Sequence, residues 1–217
     1  FVERLVGAFA LAVWDPRTRR TLLARDRAGE RPLFFVRTHE GLRFASEIAA
    51  LLAAGDQPAT LSPTAIRGYL QFGNFAAPRS PFLEFEKVAP GERIVFDPEG
   101  IHRDRYWRWP ITRSAKPPPS LDEFDGIFRE AVRRQSDVDI DFAVFLSGGL
   151  DSSLVAAVSR SLNPGRPLRA YTVRFDVDSF DEGEFAAVVA RRLGLEQESV
   201  WVRPEDLQTE LPALVRR

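Results

Sequence analysis

The chain has 217 residues, 44% hydrophobic and 11% aromatic, with a formal net charge of -1. That length suits one large domain or two ordinary ones, and the near-zero charge gives no overall pull toward nucleic acid or an anionic membrane. Cysteine is absent, which excludes disulfides and a thiol nucleophile within these residues, and the longest apolar runs, Ala8–Trp14 and Ile48–Ala54, are too short to span a bilayer.

No basic–apolar–small-residue start is present, so no signal peptide is expected and a cytoplasmic enzyme is the default expectation. Methionine is also absent, the chain opens on Phe1, and it ends in "LPALVRR". Together these read as an internal piece of something longer. Lys87 and Lys116 are the only lysines, so arginine carries the positive charge; this looks like coding bias rather than chemistry.

In chain order, the first part is β-rich. "GAFALAVWD" (Gly7–Asp15) is a nearly continuous apolar strand closed by the Asp15-Pro16 turn, and Arg20–Asp26 is its hairpin partner. Pro32–Arg37 and Gly41–Ser46 form a second pair across "THE". Ser46–Gly55 is a short helix with Ser46 as its cap and Gly55 as its stop. A second helix has Ser62 as cap, Pro63 at the first helical position and Gly73 at its end. Glu92–Trp107 is a late hairpin turning at Asp97–Gly100. Residues 108–120, "RWPITRSAKPPPS", carry three consecutive prolines and form a stiff linker. This separates a unit over residues 1–107 from one over 121–217.

Beyond the linker the rhythm is α/β. Ser120–Arg134 is a helix whose Ser120 and Glu123 form a capping box. Strands follow at Asp141–Leu146, Leu168–Phe175 and Glu198–Val202. They alternate with helices at Asp151–Leu162, Glu184–Leu193 and Pro204–Arg216. Such alternation predicts a parallel, doubly wound sheet.

The chemistry concentrates in "FLSGGLDSS", Phe145–Ser153. A strand ends at Leu146 and a helix begins near Asp151. Gly148 and Gly149 permit positive φ and close backbone approach, so that successive amides form an anion nest at a helix N-terminus. Ser147, Ser152 and Ser153 add hydroxyls. With no lysine nearby this is not the Gly-x-x-x-x-Gly-Lys loop, and it lacks the flanking glycines of a Gly-x-Ser-x-Gly elbow. A plain turn capped by Asp151 or Ser152 would explain a lone Gly-Gly, whereas the full string in this context favours phosphate binding.

Other candidates have blander readings. Arg25-Asp26 and Ser46-Glu47 suit buried charge pairing. His39 and His102 lie far apart in the sequence, which argues against a zinc site. Acidic Phe175–Glu184 suits a helix N-terminal turn better than a Ca²⁺ loop. "IHRDRYWRW" suits a strand entering a linker better than a nucleic-acid platform.

The loop string resembles the pyrophosphate loop of enzymes that cleave ATP to AMP and pyrophosphate. "GAFALAVWD", "LLARDRAGERPLFF", "FASEIAALL" and "APRSPFLEFEKVAPGERIVF" resemble the glutaminase domain of asparagine synthetases. "YTVRFDVDSFDEGEFAAVVARRLG" resembles the second strand and helix of their synthetase domain. The resemblance runs over essentially the whole chain, in family order.

It implies an α+β N-terminal-nucleophile glutaminase domain in residues 1–107, the C-terminal part of that domain. Residues 121–217 would be the N-terminal part of an α/β doubly wound ATP-pyrophosphatase domain. The implied reaction converts aspartate to asparagine through β-aspartyl-AMP, using ATP, Mg²⁺ and ammonia from glutamine. Leu146, Ser147, Gly148, Gly149, Leu150, Asp151, Ser152, Ser153 and Val173 would bind ATP, with Leu146 and Val173 toward the adenosine. A homodimer is the implied assembly, with small molecules rather than nucleic acid or membrane as partners.

The family's nucleophilic cysteine has no counterpart here. Val6 stands where many family members carry an aspartate that helps hold glutamine's amino group. The fragment alone is therefore expected to be inactive. Two rivals remain: a specialised ligase on the same chassis, of the β-lactam synthetase or lasso-peptide cyclase kind, and a nucleotide-binding pseudoenzyme.

Overall fold

A computed structural model of the chain describes residues 1–39, 41–55, 57–111, 117–177 and 179–215. Two compact units emerge, Phe1–Arg113 and Ser114–Arg217. Residues 112–116 of the proline-bearing stretch, Glu40 in the "THE" turn and Arg216 of the last helix lie outside the described residues.

In the first unit, β1 (Ala10–Asp15), β2 (Arg20–Arg25), β6 (Glu92–Asp97) and β7 (Gly100–Arg105) form an antiparallel sheet in the order β1-β2-β6-β7. The apolar run of β1 therefore lies at a sheet edge, where Val13 and Trp14 are exposed. A second antiparallel sheet holds β4 (Gly41–Ala45), β3 (Phe34–Thr38) and β5 (Glu86–Lys87) in that order. The two-residue β5 has no signal in the sequence, because Glu86-Lys87 carries no apolar alternation.

Strand alternation explains the two cores. Phe35 joins Leu23, Leu33, Val88 and Ile94 between the sheets and meets Phe96 edge-on with ring centroids 5.5 Å apart. Its neighbour Val36 faces the opposite way, packing with Leu51 of α1 (Ile48–Ala53) and Phe85. Each such fully buried side chain contributes about 1.5–3 kcal/mol relative to exposure.

Helix α1 differs from expectation at its start. Glu47 occupies the cap position without a capping hydrogen bond, and Ser46 lies one residue outside. Ser46 and Glu47 are both exposed, so the expected buried pairing does not form there. Helix α2 (Pro63–Phe72) follows its expected grammar: the Ser62 hydroxyl accepts from the Ala65 amide at 3.3 Å, Pro63 opens the helix and Gly73 follows its end.

Arg25 and Asp26 are both buried, yet backbone rather than each other satisfies them. Asp26 accepts from the amides of Gly29 (2.6 Å), Glu30 (3.0 Å), Arg31 (3.0 Å) and Phe9 (3.3 Å). Arg25 donates to the carbonyls of Arg31, Val88 and Gly29. The expected core pair thus braces the loop after β2 through backbone hydrogen bonds, one anionic and one cationic, with the Asp26 charge favouring the Arg25 guanidinium.

In the second unit, α3 (Leu121–Ser136) begins with the complete Ser120/Glu123 capping box. Strands β8 (Ala143–Phe145), β9 (Arg169–Phe175) and β10 (Glu196–Val202) form a parallel sheet in the order β10-β9-β8. Helix α4 (Leu150–Leu162) connects β8 to β9, α5 (Gly183–Leu193) connects β9 to β10, and α6 (Pro204–Leu214) follows. Val144, Leu146, Ala156, Leu168, Ala170, Ala186 and Ala190 form its core. The small residues of α4 and α5 let both helices approach the strands closely. These three strands progress in one direction; the strand reversal of a doubly wound sheet is not among the described strands.

Candidate functional site

The β8–α4 loop lies at the carboxyl end of the parallel sheet, where α/β sheets bind ligands. Leu146 anchors it from below. This residue is buried, its amide donates to the Tyr171 carbonyl at 2.9 Å, and its carbonyl accepts from the Thr172 hydroxyl at 2.9 Å. Gln197 of β10 donates in turn to the Thr172 oxygen at 2.9 Å. All three strands therefore converge on one loop residue.

Above Leu146 the chain turns outward. Gly148 has φ +84°, and a Cβ there would stand 2.5 Å from both the Ala186 amide nitrogen and the Phe185 carbonyl carbon. Gly148 thus rests directly on the backbone of the first turn of α5. Gly149 takes an extended conformation and occupies the cap position of α4. The helix starts at Leu150, so neither Asp151 nor Ser152 is the cap.

The polar groups face one another. The Ser147 and Ser152 hydroxyls lie 2.9 Å apart. The Ser147 amide meets Ser152 Oγ at 3.3 Å, and the Gly149 amide meets Ser147 Oγ at 3.3 Å. No side chain caps the start of α4, which leaves the amides of its first turn without intrahelical acceptors. Ser153 Oγ is buried without a hydrogen-bond partner. Asp151 is exposed within that first turn, and Leu150 is exposed beside it.

A pocket of about 240 Å³ opens next to the serines. Leu146 and Val173 line it together with Ser147 and Ser152. Phe145, Tyr171, Phe175, Phe180 and Glu182 line it too. Period-two alternation along β9 places Tyr171, Val173 and Phe175 on a common face, a signal available in the sequence. The turn residues Phe180 and Glu182 had no such signal. Just beyond the pocket, hydrogen bonds from Arg174 hold the Asp181 carboxyl below the usual carboxylate range.

The remaining candidates lie in the first unit. Val6 is exposed in the first unit, beside Gly7. His102 meets Asp97 and Glu99 at the β6–β7 turn. Asp97 there already accepts from the Glu99 and Gly100 amides at 3.0 and 3.1 Å and lies 3.4 Å from both Arg20 and His102. This is an ion-paired turn. The "IHRDRYWRW" stretch is structural as well: Arg103 pairs with Glu86 and Glu92, and the Tyr106 hydroxyl donates to the Arg25 carbonyl at 2.6 Å.

Residues 1–107 match the family described as glutamine amidotransferase domain, and residues 123–217 match the one described as asparagine synthase. The chain is thus of the class that couples an amidotransferase domain to a synthase domain. Among its relatives is the Bacillus subtilis protein "Asparagine synthetase (glutamine-hydrolyzing) 3", 32% identical over 81% of this chain and 29% of the relative. The same organism's "Asparagine synthetase (glutamine-hydrolyzing) 1" is 29% identical over 98% of this chain and 34% of the relative. "Amidase chry2" of Gibberella zeae is 33% identical over 90% of this chain and 31% of the relative. The chain spans about a third of the length of these curated relatives. It belongs to the asparagine synthetase family.

Proposed function

We propose that the protein is an ATP-dependent amide-forming ligase, and that its second unit activates a carboxylate, that of aspartate, as the acyl-adenylate. One observation carries this reading. A Ser-rich loop with uncapped helix amides, followed within α4 by the unpartnered Ser153 hydroxyl, borders through Ser147 and Ser152 an apolar pocket at the carboxyl end of a parallel sheet.

The serines and the first-turn amides of α4 receive the β- and γ-phosphates, exchanging their 3.3 Å internal contacts for charge-assisted bonds. The apolar walls from Leu146, Tyr171, Val173 and Phe175 take the adenosine. The aspartate carboxylate attacks the α-phosphorus and pyrophosphate leaves. Ammonia then attacks the acyl carbon, and AMP departs as asparagine forms. Negative charge gathers on the leaving pyrophosphate, where fixed N–H and O–H donors favour the transition state over the ground state.

Asp151 is the exposed carboxylate of this loop and would be the residue to hold a Mg²⁺ that accompanies the phosphates. That ion would supply further neutralisation of the leaving group. None of the 217 residues offers a thiol, so release of ammonia from glutamine is not assigned to any residue here.

The test is exchange of labelled pyrophosphate into ATP with Mg²⁺ and aspartate. In the whole protein that contains these residues aspartate-dependent exchange is expected, and Asp151→Ala should abolish it; undiminished exchange in that variant would refute the loop assignment. The exposed, apolar Val6 favours one second reading, a ligase of the same chemistry with another acceptor carboxylate and no use of glutamine. Exchange supported by another carboxylic acid but not by aspartate would establish it.

A further inference from the structure

The pocket has a wall that the strands do not supply. Phe180 and Glu182 come from the turn between β9 and α5, and an exposed turn has no intrinsic reason to hold one position. What fixes it lies on the opposite side of β9. Since Tyr171, Val173 and Phe175 face the pocket, alternation sends Arg174 the other way. There Arg174 Nε donates to both oxygens of Asp181, at 2.8 and 2.9 Å. The guanidinium carbon lies 4.8 Å from the centre of the Trp201 ring on β10, within cation–π range.

Asp181 sits between the two wall residues and also accepts from the Gly183 amide at 3.3 Å. Gly183 opens α5 and leaves no room for a side chain: a Cβ there would overlap Nε, Cδ and Cζ of Arg174. The same turn of α5 carries Phe185 and Ala186, on whose backbone Gly148 of the phosphate loop rests. One guanidinium thus links β10, the β9–α5 turn and the start of α5, while pointing away from the pocket itself.

We propose that Arg174 is a positioning residue for the nucleoside end of the ligand: clamped by Asp181 and Trp201 and admitted by Gly183, it holds Phe180 and Glu182 in place as the pocket's outer wall. Phe180 offers an aromatic face to a purine, and Glu182 offers a carboxylate acceptor to its amino group or to ribose hydroxyls. The role rests on the reading of this site as an ATP site, and it predicts an effect on the nucleoside without a matching effect on the phosphates.

The experiment titrates Mg-ATP and magnesium pyrophosphate separately into the wild-type protein and into Arg174→Ala, Arg174→Lys, Gly183→Ala and the Arg174→Ala/Gly183→Ala double variant. Arg174→Ala should weaken ATP roughly tenfold, the scale of a wall displaced by a fraction of an ångström, while pyrophosphate stays within about twofold. Arg174→Lys, which keeps the charge but loses the bidentate fork, should fall between. Gly183→Ala should resemble Arg174→Ala, and the double variant should be no worse than Arg174→Ala, because both act through one contact. Unchanged ATP affinity in Arg174→Ala and Gly183→Ala, or equal weakening of ATP and pyrophosphate in Arg174→Lys, would overturn the positioning role. Wild-type protein that binds neither ligand would overturn the ATP reading instead.

Discussion

Two adjacent glycines in the loop should respond differently to the same methyl group. Gly148→Ala forces an L-residue to φ +84° and drives its Cβ to 2.5 Å from backbone atoms of Phe185 and Ala186. The conformation alone costs about 1–2 kcal/mol, and overpacking against a helix backbone adds about 1–3 kcal/mol. The two effects sum to about 2–5 kcal/mol. Gly149 has φ -68°, and its Cβ would meet nothing closer than Ser147 Oγ at 3.3 Å. Gly149→Ala therefore loses little beyond the poorer cap, about 0.5–1 kcal/mol. Urea unfolding of both variants, followed by Mg-ATP titration, separates them. Gly148→Ala should lower the midpoint strongly and abolish ATP binding, while Gly149→Ala should keep most of both. Equal behaviour of the two would show that Gly148 does not rest on α5 and would remove the structural basis for the loop's shape.

Asp26→Asn should destabilise the first unit by about 1–3 kcal/mol, because four backbone amides lose a charged acceptor. Burial raises the Asp26 carboxyl, but the amides of Arg31, Glu30, Gly29 and Phe9 outweigh it and hold the group below its usual range. A depressed folded pKa means the contribution is complete above the unfolded value, near pH 4, and fades as pH falls through the folded value. The gap between the urea midpoints of the wild type and the Asp26→Asn variant should therefore narrow below about pH 4; a constant gap down to about pH 2 would contradict this. Thr172→Val leaves the Leu146 carbonyl and the Gln197 amide unpaired in the second unit. It should cost about 1–3 kcal/mol and weaken pyrophosphate binding; a variant with wild-type midpoint and affinity would show that the three-strand anchor is not needed.

What the sequence disclosed and what it hid divide along a physical line. Features decided within a few residues were legible: the Ser62 and Ser120 caps, the strand–loop–helix join at Leu146–Leu150, and the alternation along β9. Each depends on local backbone sterics or on an amide three residues away. Ser46 misleads for a related reason, since a capping residue type is only a preference and the chain enters α1 one residue later. Arg25-Asp26 looks like a pair because the residues are adjacent and oppositely charged. Arg25 ends β2 and Asp26 opens the loop beyond it, and each group finds its hydrogen-bond partners in nearby backbone instead. Arg174 was illegible because its partners, Asp181, Gly183 and Trp201, meet only once the parallel sheet has formed.

That division bears on how the candidate site is built. The serines supply donors, but donors on a free loop would spend binding energy on their own ordering. Here the loop is held from three directions, largely by groups outside the pocket lining. Leu146 is tied to β9 and, through Thr172, to Gln197 of β10. Gly148 is seated on α5. The start of α5 is fixed in turn through Gly183 and Asp181 to Arg174. On the proposed ATP reading, a loop so constrained would meet its ligand with its backbone already placed, the condition under which fixed dipoles stabilise developing charge with little reorganisation. The sequence string names the donors; the contacts with β9, β10 and α5 make them a site.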